Sequence, residues 1–419
     1  MSPVTGPGPG LNTGPGPLCH PPRDHLETLV LPVLTYDPLD PATVNNPYPA
    51  LAALREQAPM SWHDGMSSWL VTRYADCTAV LRDHTVFARD RRRTGAAVPA
   101  ASLSVQSLDP PDQAGVRSLF MNALRAQDLP ALEARARDRA AGLLHAAAEQ
   151  PLFDVMTELA APLSLSLVCD LLGVDEPPLA EFAAASDAIM RSMDGGLDPA
   201  LVEPGRRARE ELTTLVDSWF ADTGRPSGLL AHVRTRTPAG AGETEELFIR
   251  NTARVMFQGG YSTMTAALGN ALHTLTRHPD AQYRLRSEPR VVPWAAEELV
   301  RFDGPVQGTS RTAIHATTIA GIPIPAGDTV VLLFTAANRD PARFPTPDQL
   351  LLDRRDNRHL GYGWGTHSCI GTRAAQACLR AALDALRTHP TPLRPAGTAR
   401  RQPSATMRTF AVLPATLHP

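Results

Sequence analysis

From Asp112 onward the chain places apolar residues at spacings of three and four, and this pattern restricts it to a mostly helical fold. The spacing predicts helices over Gln113 to Leu124, Leu129 to Glu149, Phe153 to Leu172, Leu179 to Met193 and Pro204 to Thr223. The longest stretch, Glu243 to Thr276, is interrupted by Gly259-Gly260, and a helix over Val292 to Phe302 follows. A strong amphipathic helix over Thr372 to Thr388 comes last. Earlier in the chain, Ala50 to Glu56 and Tyr74 to Asp83 read as short helices, Ser68 to Thr72 as a strand, and Arg91 to Ser107 as a long loop without periodicity. Short strand patterns occur at Arg311 to Ile314, Thr318 to Ile319, Thr329 to Phe334 and Thr406 to Val412, and a Pro-rich loop at Asn338 to Arg358. The fold class is therefore predominantly α with minor β sheets. No repeat or composition break marks a second domain, so residues 31–419 are expected to form a single domain. Residues 1–30, rich in Pro and Gly, are expected to be a disordered tail.

Composition excludes several function classes. With 43% hydrophobic residues the chain can bury a sizeable core, and a formal net charge of −3 gives no field that attracts nucleic acid or an anionic membrane. Every basic charge is arginine, since the chain has no lysine. The cysteines, Cys19, Cys77, Cys169, Cys369 and Cys378, are odd in number and scattered, without zinc or disulfide spacing, so a reducing cytosol is expected. The beginning shows no signal-peptide pattern, and the longest apolar run, around Val330 to Phe334, is far too short to cross a bilayer. A soluble, cytoplasmic monomer is the expectation.

Chemistry concentrates in His359-Leu-Gly-Tyr-Gly-Trp-Gly-Thr-His-Ser-Cys-Ile-Gly, followed by the last helix. Gly361, Gly363 and Gly365 imply a backbone that turns tightly or approaches something closely. Cys369 then sits at a helix N-terminus, where the helix dipole and free N–H groups favour a thiolate. Gly371 leaves room beside it for a flat partner. Without further context, a buried inert cysteine in a glycine-rich loop is the plainer reading.

The pattern resembles the cysteine-ligand loop of the cytochrome P450 family, phenylalanine–glycine–x–glycine–x–histidine–x–cysteine–x–glycine. It matches at Gly363, Gly365, His367, Cys369 and Gly371, with Tyr362 in place of phenylalanine. The resemblance implies the P450 fold, haem b as cofactor, Cys369 as the axial iron ligand, and His367 placed for a haem propionate. A thiolate ligand pushes electron density to iron and favours O–O cleavage. Beyond the loop, Ala374, Ala375 and Gln376 stand where the family often has leucine, alanine and arginine.

Further segments carry the same resemblance. Glu298 and Arg301, at helical spacing, with Arg354 after the Asn338 to Asp348 segment, resemble the family's structural Glu-x-x-Arg and arginine triad. Arg311 stands where the family has a propionate arginine. Leu108 to Arg117 resembles the helix that supplies a histidine and an arginine to the propionates; here Arg117 is kept and Gln113 replaces the histidine. Singly, each arginine reads equally well as a solvated surface charge.

Two adjacent glycines cost a helix interior roughly 2 kcal/mol relative to alanine. Either a local opening of the hydrogen-bond ladder or a helix-packing notch accounts for them. The segment Gly259, Gly260, Tyr261, Ser262, Thr263 resembles the family's oxygen-binding groove, with Thr263 as the groove alcohol. Ser262 occupies the position of the acid, and serine is too weak an acid to be the proton source for oxygen activation. It is expected to relay protons through water, unless the substrate supplies a polar group or the reaction is atypical.

By resemblance, Val255, Met256, Gly259, Val306, Thr309 and Met407 line a moderately apolar substrate pocket. Arg91, Arg92 and Arg93 read as a solvated charge run. The resemblance implies electrons from a ferredoxin or flavodoxin with its NAD(P)H-dependent reductase, and since no Rossmann fingerprint or iron–sulfur cysteine set is present, that donor is expected to be a separate protein. Arg358, Arg373 and Arg380 are expected to form a basic docking face for it. The readings to be weighed are a monooxygenase hydroxylating or epoxidising a natural-product-type molecule, an oxidative coupling or ring-forming enzyme, and a non-catalytic haem sensor or carrier.

Overall fold

The computed structural model describes residues 36–222, 224, 227–237 and 242–418. These belong to one compact unit, Leu34–Pro419. The proposed N-terminal tail lies outside the described residues.

The helix Glu243–Arg277 organises the molecule. It packs against Ala161–Leu172, Val292–Asp303 and the C-terminal helix Thr372–Thr388, which itself lies along Leu129–Ala148. The apolar stripes read from the sequence face inward: Ala374, Ala377, Cys378, Ala381, Leu383, Ala385 and Leu386 are all buried. All of these except Ala377 join one continuous hydrophobic cluster with Leu144, Phe257, Leu268 and Leu299.

The expected interruption at Gly259-Gly260 is absent, and the helix runs through both glycines. A Cβ at Gly260 would lie 3.2 Å from Val168 Cγ2, so this glycine allows close helix packing. A Cβ at Gly259 would meet nothing within 4 Å, so packing does not explain that one.

The expected helix over Phe153 to Leu172 also begins differently. Phe153–Asp154 is a strand paired with Pro414–Thr416, and a π-turn, Met156–Ala160, precedes the helix Ala161–Leu172. The Asp154 carboxylate accepts from the Met156 and Leu413 amides, which stops the helix from extending backward. Helices at Leu229–Arg236 and Pro279–Ser287 have no counterpart in the sequence reading. The second buries only Gln282 and Leu285, so it carries little periodic signal.

A five-stranded sheet sits to one side, in the order Met60–His63, Ser68–Val71, Thr329–Leu333, Gly308–Ala313 and Phe87–Ala88. The first of these strands has no counterpart in the sequence reading. Ser68–Val71 runs parallel to Thr329–Leu333, and the other pairings are antiparallel. The expected strand over Thr406 to Val412 is confined to Phe410–Val412. The loop after Arg91 contains only short 3-10 turns, Arg91–Thr94 and Ala100–Ser102.

Candidate active site

The loop before the C-terminal helix is folded around Cys369. The Cys369 amide donates to the Tyr362 carbonyl at 2.8 Å, and the Gly363 amide to the Leu360 carbonyl at 2.8 Å. Gly363 and Gly365 have φ of 68° and 72°, the left-handed region that disfavours other residues. A Cβ on Gly365 would lie 2.3 Å from the Leu81 carbonyl oxygen. Beyond Cys369, a Cβ on Gly371 would meet only Cys369 Sγ, at 3.8 Å.

Cys369 is exposed, unlike Cys77, Cys169 and Cys378. Its sulfur nevertheless lies among dense neighbours, and this burial pushes the thiol pKa up. The Gly371 amide, the Thr372 hydroxyl and the charge of Arg117 pull it the other way. The helix-end groups thus act as the sequence implies but do not by themselves outweigh burial. Burial, with Glu297 and Cys369 nearby, also pushes Tyr362 well above its ordinary value, so its phenol stays protonated.

The expected triad is assembled. Glu298 accepts from Arg301 at 2.7 and 2.8 Å and from Arg354 Nε at 3.1 and 3.2 Å. The Leu351 amide and Asn357 complete its shell. Gln376, where the family often has arginine, donates to Glu297 at 2.9 Å.

The arginines expected at the propionates stand on two elements, Arg311 on the strand Gly308–Ala313 and Arg117 beside the loop before the C-terminal helix. Arg311 is buried, and Arg117 is half-buried with its guanidinium on the Ser368 carbonyl at 2.9 Å and hydroxyl at 3.1 Å. His367 is tied into the protein instead of being left free. Its Nε2 lies 2.7 Å from Asp109 Oδ1 and its Nδ1 3.1 Å from the Gln113 amide nitrogen. Burial pushes the imidazole pKa down, Asp109 opposes, and Arg311 adds to the lowering. Both ring nitrogens are thus engaged within the protein, and His367 braces Asp109 and Gln113. Gln113 is likewise turned inward, toward the Val105 and Thr366 carbonyls at 3.2 and 3.3 Å.

On the groove helix, Thr263 Oγ1 donates to the Gly259 carbonyl at 2.6 Å. The Ser262 hydroxyl oxygen is buried without a hydrogen-bond partner among the described residues. Val306 and Met407 form an isolated antiparallel bridge, and half-buried Val255, Met256 and Thr309 complete the residues expected at the pocket.

Comparison with known proteins identifies the family. The cytochrome P450 family model matches residues 227–386. The chain is 32% identical over 366 residues to cytochrome P450 monooxygenase PikC of Streptomyces venezuelae, covering 85% of this chain and 86% of PikC. It is 32% identical over 344 residues to erythromycin C-12 hydroxylase of Saccharopolyspora erythraea, covering 80% and 84% respectively. The chain belongs to the cytochrome P450 family. The crystal structure of CalO2 superposes with a TM-score of 0.81 at 30% identity, covering 92% of this chain and all of CalO2.

This P450 is accordingly an oxidoreductase of the monooxygenase class with haem as its cofactor. Its residues fit that group. Cys369 is an exposed sulfur flanked by a glycine, Gly259 has open space where a side chain would stand, and the guanidiniums of Arg117 and Arg311 rest on neutral oxygens, free to pair with a carboxylate. No helix among the described residues is long and apolar enough to cross a membrane.

Sequence reasoning missed Asp109 and Arg89. Asp109 takes the Arg89 and Asp90 amides, Arg93 and His367. The charge-run reading of Arg91 to Arg93 is refined: Arg92 pairs with Asp90 and Asp112, Arg93 pairs with Asp109, and Arg91 is exposed. On the supposed docking face, Arg358 and Arg373 are exposed, but Arg380 is taken by Glu133.

Proposed function

We propose that this P450 hydroxylates or epoxidises a moderately apolar, natural-product-type small molecule. Dioxygen supplies the oxygen, and a separate ferredoxin or flavodoxin with its NAD(P)H-dependent reductase supplies the electrons. Haem ligated by Cys369 supplies the oxygen activation. The observation that carries the reading is Thr263, an alcohol held on the Gly259 carbonyl one helical turn away. It keeps a hydroxyl proton on the groove helix and fixes its position. Val306 and Met407, bridged to each other, present apolar surface that excludes water from the bound substrate. The relatives support this choice, since one is named for hydroxylation of erythromycin at C-12 and another is a mycinamicin IV hydroxylase/epoxidase. Arg358 and Arg373 remain the exposed cations for an acidic electron donor.

Ser262 favours a second reading, oxidative coupling or ring closure without oxygen insertion. It cannot replace an acid as a proton source, and its hydroxyl oxygen is buried without a partner among the described residues.

A spin-shift binding screen against macrolides, terpenes, aromatics and cyclic dipeptides would identify a ligand. Turnover of that ligand under labelled dioxygen, with surrogate ferredoxin and reductase, then separates the readings. One labelled oxygen in the product supports monooxygenation. A product without new oxygen supports coupling. Binding without any turnover removes both.

A further inference from the structure

The edge of the five-stranded sheet brings two guanidiniums together. Phe87 pairs with Ala313 and Ala88 with Thr312, so the next residue in that register, Arg89, stands opposite Arg311. Like charges directly opposite on neighbouring strands repel and destabilise the pair. Yet the two side chains converge further. Arg89 Nη1 donates to Thr309 Oγ1 at 3.1 Å and to the Ser310 carbonyl at 3.2 Å. Arg311 Nη1 donates to the same two oxygens, at 3.3 and 2.7 Å.

Neither arginine forms an ion pair among the described residues. The nearby carboxylate, Asp109, is already engaged: its Oδ1 by His367, its Oδ2 by Arg93 and by the Arg89 and Asp90 amides. Arg89 Nε donates to the Gln106 carbonyl at 3.3 Å. Nη2 of both arginines, and Nε of Arg311, make no hydrogen bond among the described residues. Burial depresses the Arg311 pKa to about 9, with the charge of Arg89 adding to the effect and Asp109 opposing it. Two guanidiniums held by neutral oxygens, with N–H groups to spare, match the fork geometry of a carboxylate.

We propose that Arg89 and Arg311 together form a carboxylate-binding site, with Arg89 as its second, previously unassigned arm. Two sources offer that chemistry, a haem propionate and a carboxylate on the substrate. The proposal rests on the haem assignment, which the haem content and reduced carbon monoxide spectrum of the wild-type protein check independently.

The test compares wild-type holoenzyme with Arg89→Gln and Arg89→Lys. The first measurement is haem transfer to excess apomyoglobin, and the second is spin-shift titration with decanoic acid and its methyl ester. Thermal melts of all proteins identify any variant that fails to fold, and Arg89→Lys keeps the charge in a lightly altered shape. If the site holds a propionate, Arg89→Gln releases haem about tenfold faster or more, Arg89→Lys recovers part of the loss, and the acid-to-ester preference does not change. If it holds a substrate carboxylate, haem release is unchanged. Wild type then prefers the acid over the ester by about tenfold, and Arg89→Gln loses that preference. A folded Arg89→Gln with wild-type haem release and no altered preference overturns the proposal.

Discussion

Val306 and Met407 meet in an isolated antiparallel bridge that joins the two segments expected to wall the substrate pocket. The bridge is held from both sides, by the Gln307 amide on the Thr406 carbonyl and the Arg408 amide on the Pro305 carbonyl. Buried Asp194 anchors the same turn from the far end of the preceding helical region. It accepts from Ser404 Oγ at 2.6 Å, Thr406 Oγ1 at 2.7 Å and the Ala405 amide at 3.0 Å.

Asp194→Ala is therefore expected to loosen the turn that carries Met407. The lost bonds amount to about 2 kcal/mol of stability. Urea unfolding measures this loss. Substrate affinity by spin-shift titration should fall while the reduced carbon monoxide spectrum stays unchanged.

Glu298→Gln leaves Arg301 and Arg354 buried without their counter-charge. Breaking a buried pair in this way costs about 3–5 kcal/mol. The variant should melt at a markedly lower temperature and purify with less haem, read from the ratio of Soret to protein absorbance.

Asp303 gives the chain a built-in acid sensitivity. Burial pushes its carboxyl pKa up, but Arg408, Arg401 and Tyr48 together hold it well below the usual carboxylate range. A carboxyl depressed by folding contributes stability above its unfolded pKa of about 4 and loses it as pH falls through the folded value. Wild-type stability should therefore decline steadily below about pH 4. Asp303→Asn should flatten that decline while lowering stability at neutral pH, as chemical denaturation at each pH would show.

Thr263→Ala removes the hydroxyl held on the Gly259 carbonyl. Product formed per NAD(P)H consumed should drop, by about 10²-fold if Thr263 positions the proton for oxygen activation. Peroxide release should rise in parallel. Unchanged coupling would mean that Ser262 or the substrate performs this role.

On the proposed ligation, Cys369→Ser replaces a thiolate with a weak oxygen donor. The strongly red-shifted Soret band of the reduced carbon monoxide complex should vanish. The protein's melting temperature, measured after haem removal, should change little, because serine is nearly isosteric with cysteine.

The helical frame was legible because its cause is local. The periodic apolar stripe of Thr372–Thr388 predicts both the helix and its buried face. Pro279–Ser287 was not legible, because its face buries only Gln282 and Leu285. Phe153–Asp154 misleads for the opposite reason. Its spacing suits a helix, but a distant strand, Pro414–Thr416, claims its backbone.

The site divides in the same way. The glycine-rich loop before the C-terminal helix was legible through Gly363, Gly365, Cys369 and Gly371, because left-handed backbone and a bare approach to the sulfur demand particular residues at fixed spacing. Legible too were the helical spacing of Glu298 and Arg301 and the serine, Ser262, where the resemblance calls for an acid. What faces what came from the tertiary structure. It gave the ring nitrogens of His367 to Asp109 and Gln113, carried the groove helix unbroken past Gly259, and set Arg89 opposite Arg311. Those relations depend on strand register and on contacts between residues far apart in the chain, and no local pattern encodes them.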